Sequence, residues 1–196
     1  MNLLVTGASG RIGRYIVRDL ADAGHRVLGV DLGPAATNTV PHMRLDLTDA
    51  GQIYQALAKV QADAVVHMGA WADAGIVADT RTYGDNVRGT YNLFQACADM
   101  GIKRIVSASS NQVYGLAYAP PLYAPVDEEH PLRPGNSYAL SKAAGEQAAE
   151  YFIQNHSLEI LSFRIMGTRV PTAIAAEIEA IAAEPQKAAG LLWTRT

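Results

Sequence analysis

Tyr138 and Lys142 stand four residues apart in a strongly helical segment. At that spacing both side chains project from one helical face, so an ammonium can lie beside a phenol. A free tyrosine ionises near pH ~10. A cation about 4 Å away, at an effective dielectric of ~20, would contribute roughly 4 kcal/mol, on the order of a thousandfold in acidity. Burial opposes that gain, so this is an upper guide. A phenol made acidic in this way can ionise near neutral pH, and the phenolate can then take a proton from an alcohol. The bland reading of the same residues is a helix start capped by Asn136 or Ser137, with a solvated lysine.

A second group of residues lies at the amino end. Gly7-Ala8-Ser9-Gly10-Arg11-Ile12-Gly13 follows the apolar run Leu3–Val5 and opens a helical pattern. Gly7 permits a tight turn, Gly10 lets a pyrophosphate approach the backbone, and Gly13 lets helix pack on strand. Unpaired N–H groups and the positive end of the helix dipole then face the anion. Arg11 and Arg14 oppose that dipole and make better sense beside a phosphate. Asp31, after the second apolar run, is placed to take the hydroxyls of an adenosine ribose and to repel a 2′-phosphate, which favours NAD over NADP. Its alternative is a turn residue ahead of Gly33 and Pro34. Asp46 and Leu47 could hold an adenine, or Asp46 could begin a turn into a helix capped by Thr48 or Asp49.

These residues need a scaffold. Short apolar runs at 3–5, 26–30, 43–45, 64–67, 104–107 and 158–163 alternate with helical patterns at 12–23, 52–60, 82–100 and 137–155. That alternation predicts parallel strands joined by right-handed crossovers, an α/β doubly wound sheet with helices on both faces. Gly24 and Gly101 fall where left-handed helix C-caps are wanted. The stretch 120–134, with five prolines, is the one long irregular segment. It reads either as a substrate-contacting loop or as a stiffened surface connection.

With 196 residues, 49% hydrophobic and 18% charged, the chain can bury a substantial core. A net charge of -3 supplies no basic field for nucleic acid or an anionic membrane, so neither partner is expected. The single cysteine, Cys97, sits among apolar helical neighbours and reads as a buried thiol. With no bilayer-length apolar run and no signal-peptide pattern, a cytoplasmic enzyme is expected. His67 has no clustered ligand partners, so no metal site is expected.

In order along the chain, Thr6-Gly7-x-x-Gly10-x-x-Gly13, Asp31, Asp46-Leu47, His67-Met68-Gly69-Ala70, Asn86-Val87-x-Gly89-Thr90, Ser109-Ser110-Asn111-Gln112-Val113-Tyr114-Gly115 and Tyr138-x-x-x-Lys142 resemble the extended short-chain dehydrogenase/reductase family. This is the group of NAD-dependent sugar epimerases and dehydratases. The resemblance implies a Rossmann-type sheet of order 3-2-1-4-5-6 and an NAD-binding domain over residues 1–170 that carries the catalytic residues. It implies Tyr138 as acid/base, Lys142 lowering its pKa and holding the nicotinamide ribose, Ser110 positioning the reacting hydroxyl, and Asn86 supporting the site. Met68, Gly69 and Ala70 join the cofactor set. The implied substrate is a sugar or nucleotide-sugar, and the implied assembly is a homodimer pairing the helical segments 82–100 and 137–155.

Two departures qualify the resemblance. The 4,6-dehydratase branch carries Asp and Glu where this chain has Asn111 and Gln112, and amides cannot titrate in that role. Elimination of water is therefore disfavoured; an Asn after paired serines resembles the uronate dehydrogenase branch, although Val113-Tyr114-Gly115 is the epimerase-like ending. The family also continues into a carboxyl-terminal substrate lobe. Here Met166-Gly167-Thr168-Arg169 replaces the usual segment, and only 171–196 remain as a start or remnant of that lobe. A truncated NAD-binding module without turnover is the alternative reading.

Overall fold

The computed structural model describes residues 1–168 and 171–183. Six parallel strands form one sheet: β1 (Asn2–Thr6), β2 (Arg26–Asp31), β3 (His42–Arg44), β4 (Ala64–His67), β5 (Arg104–Ser110) and β6 (Glu159–Ile165), in the spatial order β3-β2-β1-β4-β5-β6. The helices are α1 (Gly13–Asp22), α2 (Ala50–Val60), α3 (Asp79–Asp99), α4 (Ser137–His156) and α5 (Pro171–Ala183). A 3-10 turn, Asn111–Tyr114, follows β5. The expected α/β Rossmann-type order is the one observed.

The two faces of the sheet are covered unequally, for a reason that follows from crossover handedness. The chain moves one way from β1 to β2 through α1, then reaches β3 by a loop. Each later step moves the opposite way, so right-handed crossovers send α2, α3 and α4 to the other face. Leu4, Val65 and Ile105 pack there with Ile53, Leu57, Leu93, Phe94 and Phe152. Phe94 meets Phe152 edge to face at 5.8 Å. On the first face Leu3, Val5 and Val27 pack with Val17 of α1. Nothing described covers that face at the far edge, where Leu161 and Phe163 of β6 are 57% and 51% exposed.

Local signals set most boundaries. Asn136 caps α4 by accepting from the Ala139 N–H at 2.7 Å, and Asp49 caps α2 by accepting from Gln52. Gly24 and Gly101 take φ of 83° and 72°, as C-cap positions require. Strand β5 runs three residues beyond its expected end at Ser107. Serines conceal a strand from a hydropathy reading, but here Ala108, Ser109 and Ser110 pair with Phe163, Arg164 and Ile165. Helix α3 begins at Asp79, three residues earlier than its apolar periodicity suggests. Leu191, Leu192 and Trp193, which read in the sequence as an interrupted apolar run, lie outside the described residues, as does Arg169. Of the expected lobe segment 171–196, only α5 is described.

Candidate active site

Strand order reverses between β1 and β4, and a crevice is expected outside the carboxyl ends of the strands there. A cavity of about 710 Å³ occupies that position. Every cofactor residue expected from sequence lines it except Tyr138 and Lys142, and Asn86 lines it too.

The glycine turn is enforced by backbone contacts. Gly7 has φ +65°, and a Cβ there would lie 2.7 Å from the Met68 carbonyl carbon. At Gly13 a Cβ would lie 2.0 Å from the Gly7 carbonyl oxygen. Helix α1 has Ile12 at its N-cap, with no side-chain cap and no acidic residue in its first turn; the Arg14 and Tyr15 N–H groups turn back to the Gly10 and Ile12 carbonyls, so those of Ile12 and Gly13 are the ones left for an anion. Arg11 borders the same space, whereas Arg14 does not; its guanidinium stands 5.9 Å from the Tyr15 ring. The Asp31 carboxylate is oriented by two backbone donors, Ser9 N–H at 3.0 Å and Gly33 N–H at 3.1 Å. It therefore faces the cavity with further lone pairs to offer. Asp46 borders the cavity and also begins the turn into α2, where it accepts from the backbone N–H and hydroxyl of Thr48 at 2.9 and 2.8 Å.

Beside the cavity lie the candidate reacting groups. Tyr138 and Lys142 share one face of α4, and both are buried or nearly so. The expected acidification of Tyr138 by Lys142 is not what the structure holds. The Lys142 Nζ is 5.8 Å from the Tyr138 ring centroid and donates instead to the Ala108 carbonyl at 2.8 Å. Burial, the largest influence, raises Tyr138 above its ordinary value; the Ser110 hydroxyl pulls it down, the Asp73 charge raises it, and Arg11 lowers it. Burial also brings Lys142 down to about 8. Desolvation is thus the largest influence on both groups. Ser110 ends β5 and accepts from the Gln112 N–H at 3.2 Å, which leaves its own proton to donate.

Asn86 joins these two regions. It accepts from the Trp71 N–H at 2.8 Å and donates to the Trp71 carbonyl at 3.1 Å and to Ser141 Oγ at 3.0 Å. Ser141 in turn donates to the Tyr138 carbonyl at 2.7 Å. The loop after β4 is thereby tied to the first turn of α4. The side chain of Trp71 is held as well, donating from Nε1 to Asp85 at 2.9 Å under the Arg81 guanidinium.

Sequence reasoning missed a hydrogen-bonded line through the sheet. Thr6 Oγ1 accepts from Met68 N–H at 3.1 Å and Gly69 N–H at 3.0 Å. Its one proton then goes to His67 Nδ1 at 2.8 Å, so Nε2 carries the imidazole proton and donates to Thr90 Oγ1 at 3.1 Å. Nothing in local sequence marks this line, because its members come from β1, β4 and α3. Burial first, and the Lys142 charge second, push His67 down to about 3 from 6.5. The unfolded chain therefore binds this proton more readily between those two values, and stability falls as pH drops through that window. By pH 4 the loss attributable to His67 should reach roughly 3 kcal/mol. Urea unfolding at pH 7 and pH 4 checks this, and a His67→Gln variant with an undiminished acid loss would refute it.

A glycine turn open to the cavity, a carboxylate facing the same space, and a Ser/Tyr/Lys group at the strand ends define a Rossmann-type dinucleotide-binding architecture. The chain belongs to the NAD dependent epimerase/dehydratase family, whose pattern it matches over residues 3–173. The cofactor of that family is NAD, and the glycine cradle and Asp31 fit it. A uronate dehydrogenase of Pseudomonas putida is 30% identical over 166 residues, spanning 83% of this chain and 59% of that one. A solved short-chain dehydrogenase/reductase superfamily protein of Agrobacterium tumefaciens with bound NAD superimposes at a TM-score of 0.78, with 34% identity, over 85% of this chain and 49% of that one. The UDP-glucose 4-epimerase of Thermus thermophilus, solved with NAD, gives 0.76 and 32%, over 84% of this chain and 54% of its own. This chain thus spans about half the length of its solved relatives. No described helix is long and apolar enough to cross a membrane.

Proposed function

We propose that this protein oxidises a hydroxyl of a sugar or nucleotide-sugar, with Tyr138 taking the hydroxyl proton and Ser110 fixing the oxygen. The observation that carries this reading is the hydrogen bond between Ser110 and the buried Tyr138, on the helix that Ser141 ties to Asn86 in the cavity wall. Bound NAD would supply the hydride acceptor. Gly7, Gly10, Ile12 and Gly13, with Arg11, would receive its pyrophosphate, Asp31 its adenosine ribose, and Asp46 and Leu47 its adenine. Met68, Gly69 and Ala70 would line its path toward Tyr138. Lys142, mostly cationic below about pH 8, would hold the nicotinamide ribose and favour the ionised phenol as the groups close on each other. Asn86 keeps the two walls in register. Residues 1–170 form the unit that performs these tasks.

Asn111 and Gln112 cannot serve as an acid/base pair, which disfavours dehydration. Two outcomes remain for the oxidised sugar. An epimerase returns hydride to the opposite face, whereas a dehydrogenase of the uronate type releases product with NADH. The P. putida relative and the Asn111 position favour the second. Titrating NAD and then uronic acids and UDP-hexoses against the full-length protein, with absorbance read at 340 nm, separates them. Net NADH formation identifies a dehydrogenase, and sugar interconversion without it an epimerase. NAD binding with no sugar turned over would leave only the binding-module reading.

We also assign a homodimer through α3 and α4, on whose surface Tyr91 and Tyr151 stand exposed, each with its ring against that of Phe152, at 5.2 and 5.1 Å. A monomer in sedimentation at micromolar concentration would remove that assignment. A buried free thiol, Cys97, suits a reducing cytoplasm, and we place the protein there.

A further inference from the structure

We propose that Glu146 and Arg164 act as a positioning clamp that sets the spacing of Tyr138 and Ser110 and fastens the loop 115–136 beside them. This inference rests on the function proposed above. Glu146 lies one helical turn beyond Lys142 and two beyond Tyr138, on the same face of α4. Its carboxylate accepts a short hydrogen bond from Ser109, the residue before Ser110. It also takes the Arg164 guanidinium side-on, Nε at 3.0 and 3.3 Å and the second nitrogen at 2.8 Å. The remaining terminal nitrogen of Arg164 donates to Tyr114 Oη at 2.8 Å and to the Glu128 carbonyl at 2.9 Å. Tyr114 in turn donates to the Asp127 carbonyl at 3.0 Å, with the guanidinium 4.9 Å from its ring centroid.

One ion pair therefore fastens four parts of the molecule: the reactive helix, the end of β5 that carries Ser110, strand β6, and the proline-rich loop. Its two side chains are only 15% and 20% exposed, and every named polar contact is met. An Arg–carboxylate fork has a defined direction as well as strength, so it fixes the rotation of α4 against β5 as well as their separation. Removing either partner leaves a largely buried charge unpaired, which the surrounding groups can relieve only by moving. Neither residue lines the dinucleotide cavity. Loosening the clamp should therefore slow the chemical step and leave cofactor affinity alone.

The test compares wild type, Glu146→Gln and Arg164→Lys. The lysine keeps the charge and loses the fork. Both variants should lower kcat roughly 10–100-fold, as a misplacement near 1 Å does, while the NAD Kd from calorimetry stays within about twofold. Hydrogen exchange should quicken in peptides covering 107–110 and 115–136 and stay unchanged in 2–6 and 26–31. An unchanged kcat in folded Glu146→Gln protein overturns the proposal. So does a Kd that rises in step with the loss of kcat, or exchange that quickens evenly throughout. If wild type itself turns over no sugar, the proposed function fails, and the exchange pattern alone then decides the clamp.

Discussion

Replacing Tyr138 by phenylalanine is expected to lower kcat for the accepted sugar roughly 10²–10⁴-fold, the range spanned by a single general acid/base. The ring stays in its nearly buried place, so folding should survive, and Ser110 keeps the Gln112 N–H as a partner. NAD affinity should change by no more than the ~10-fold that one neutral hydrogen bond can supply. The pH profile offers a sharper check. Because burial raises the phenol above its usual value, oxidation by wild type should speed up as pH rises from 6 toward 8. Above that, Lys142 begins to lose the charge that favours phenolate. The Phe variant should lose the rising limb. Initial rates across that range decide the matter, and a Tyr138→Phe enzyme with near wild-type kcat would rule the tyrosine out as the base.

Gly13→Ala should abolish measurable NAD binding, a loss beyond ~100-fold, and cost roughly 1–3 kcal/mol of stability or more. The reason is geometric. The added methyl would stand 2.0 Å from the Gly7 oxygen, 2.8 Å from the Gly7 carbonyl carbon and 3.0 Å from Ala8 Cα, all backbone atoms. No side chain can rotate away to relieve this. Either α1 lifts from β1 or the turn opens, and both displace the amino-terminal N–H groups that would receive the pyrophosphate. Calorimetric titration with NAD beside a thermal melt checks it. Wild-type affinity in the alanine variant would mean that the turn is not the phosphate cradle.

Most of the architecture was legible in the chain. Alternating apolar runs and helical periods located the strands, and the positions of Gly24, Gly101, Asp49 and Asn136 marked helix ends, because these signals act within a few residues. The end of β5 was hidden by its serines, since strand propensity there comes from pairing with β6 rather than from side-chain character. Asp31, Asp46 and the glycine turn were readable because their spacing along the chain already dictates where they emerge at the strand ends.

What the sequence alone determined was the inventory: a dinucleotide-binding α/β sheet, its glycine turn, and a Tyr/Lys pair on one helical face. Tertiary structure decided the electrostatics and the attachments. Burial turned the expected acidification of Tyr138 into a rise, because desolvation grows with everything packed around a group while sequence spacing reports only one neighbour. Likewise the Thr6–His67–Thr90 line, the Asn86 tie to Trp71 and the Glu146–Arg164 pair join residues far apart in the chain. No local pattern encodes such contacts, since they arise only when the crossovers bring strand ends and helix faces together.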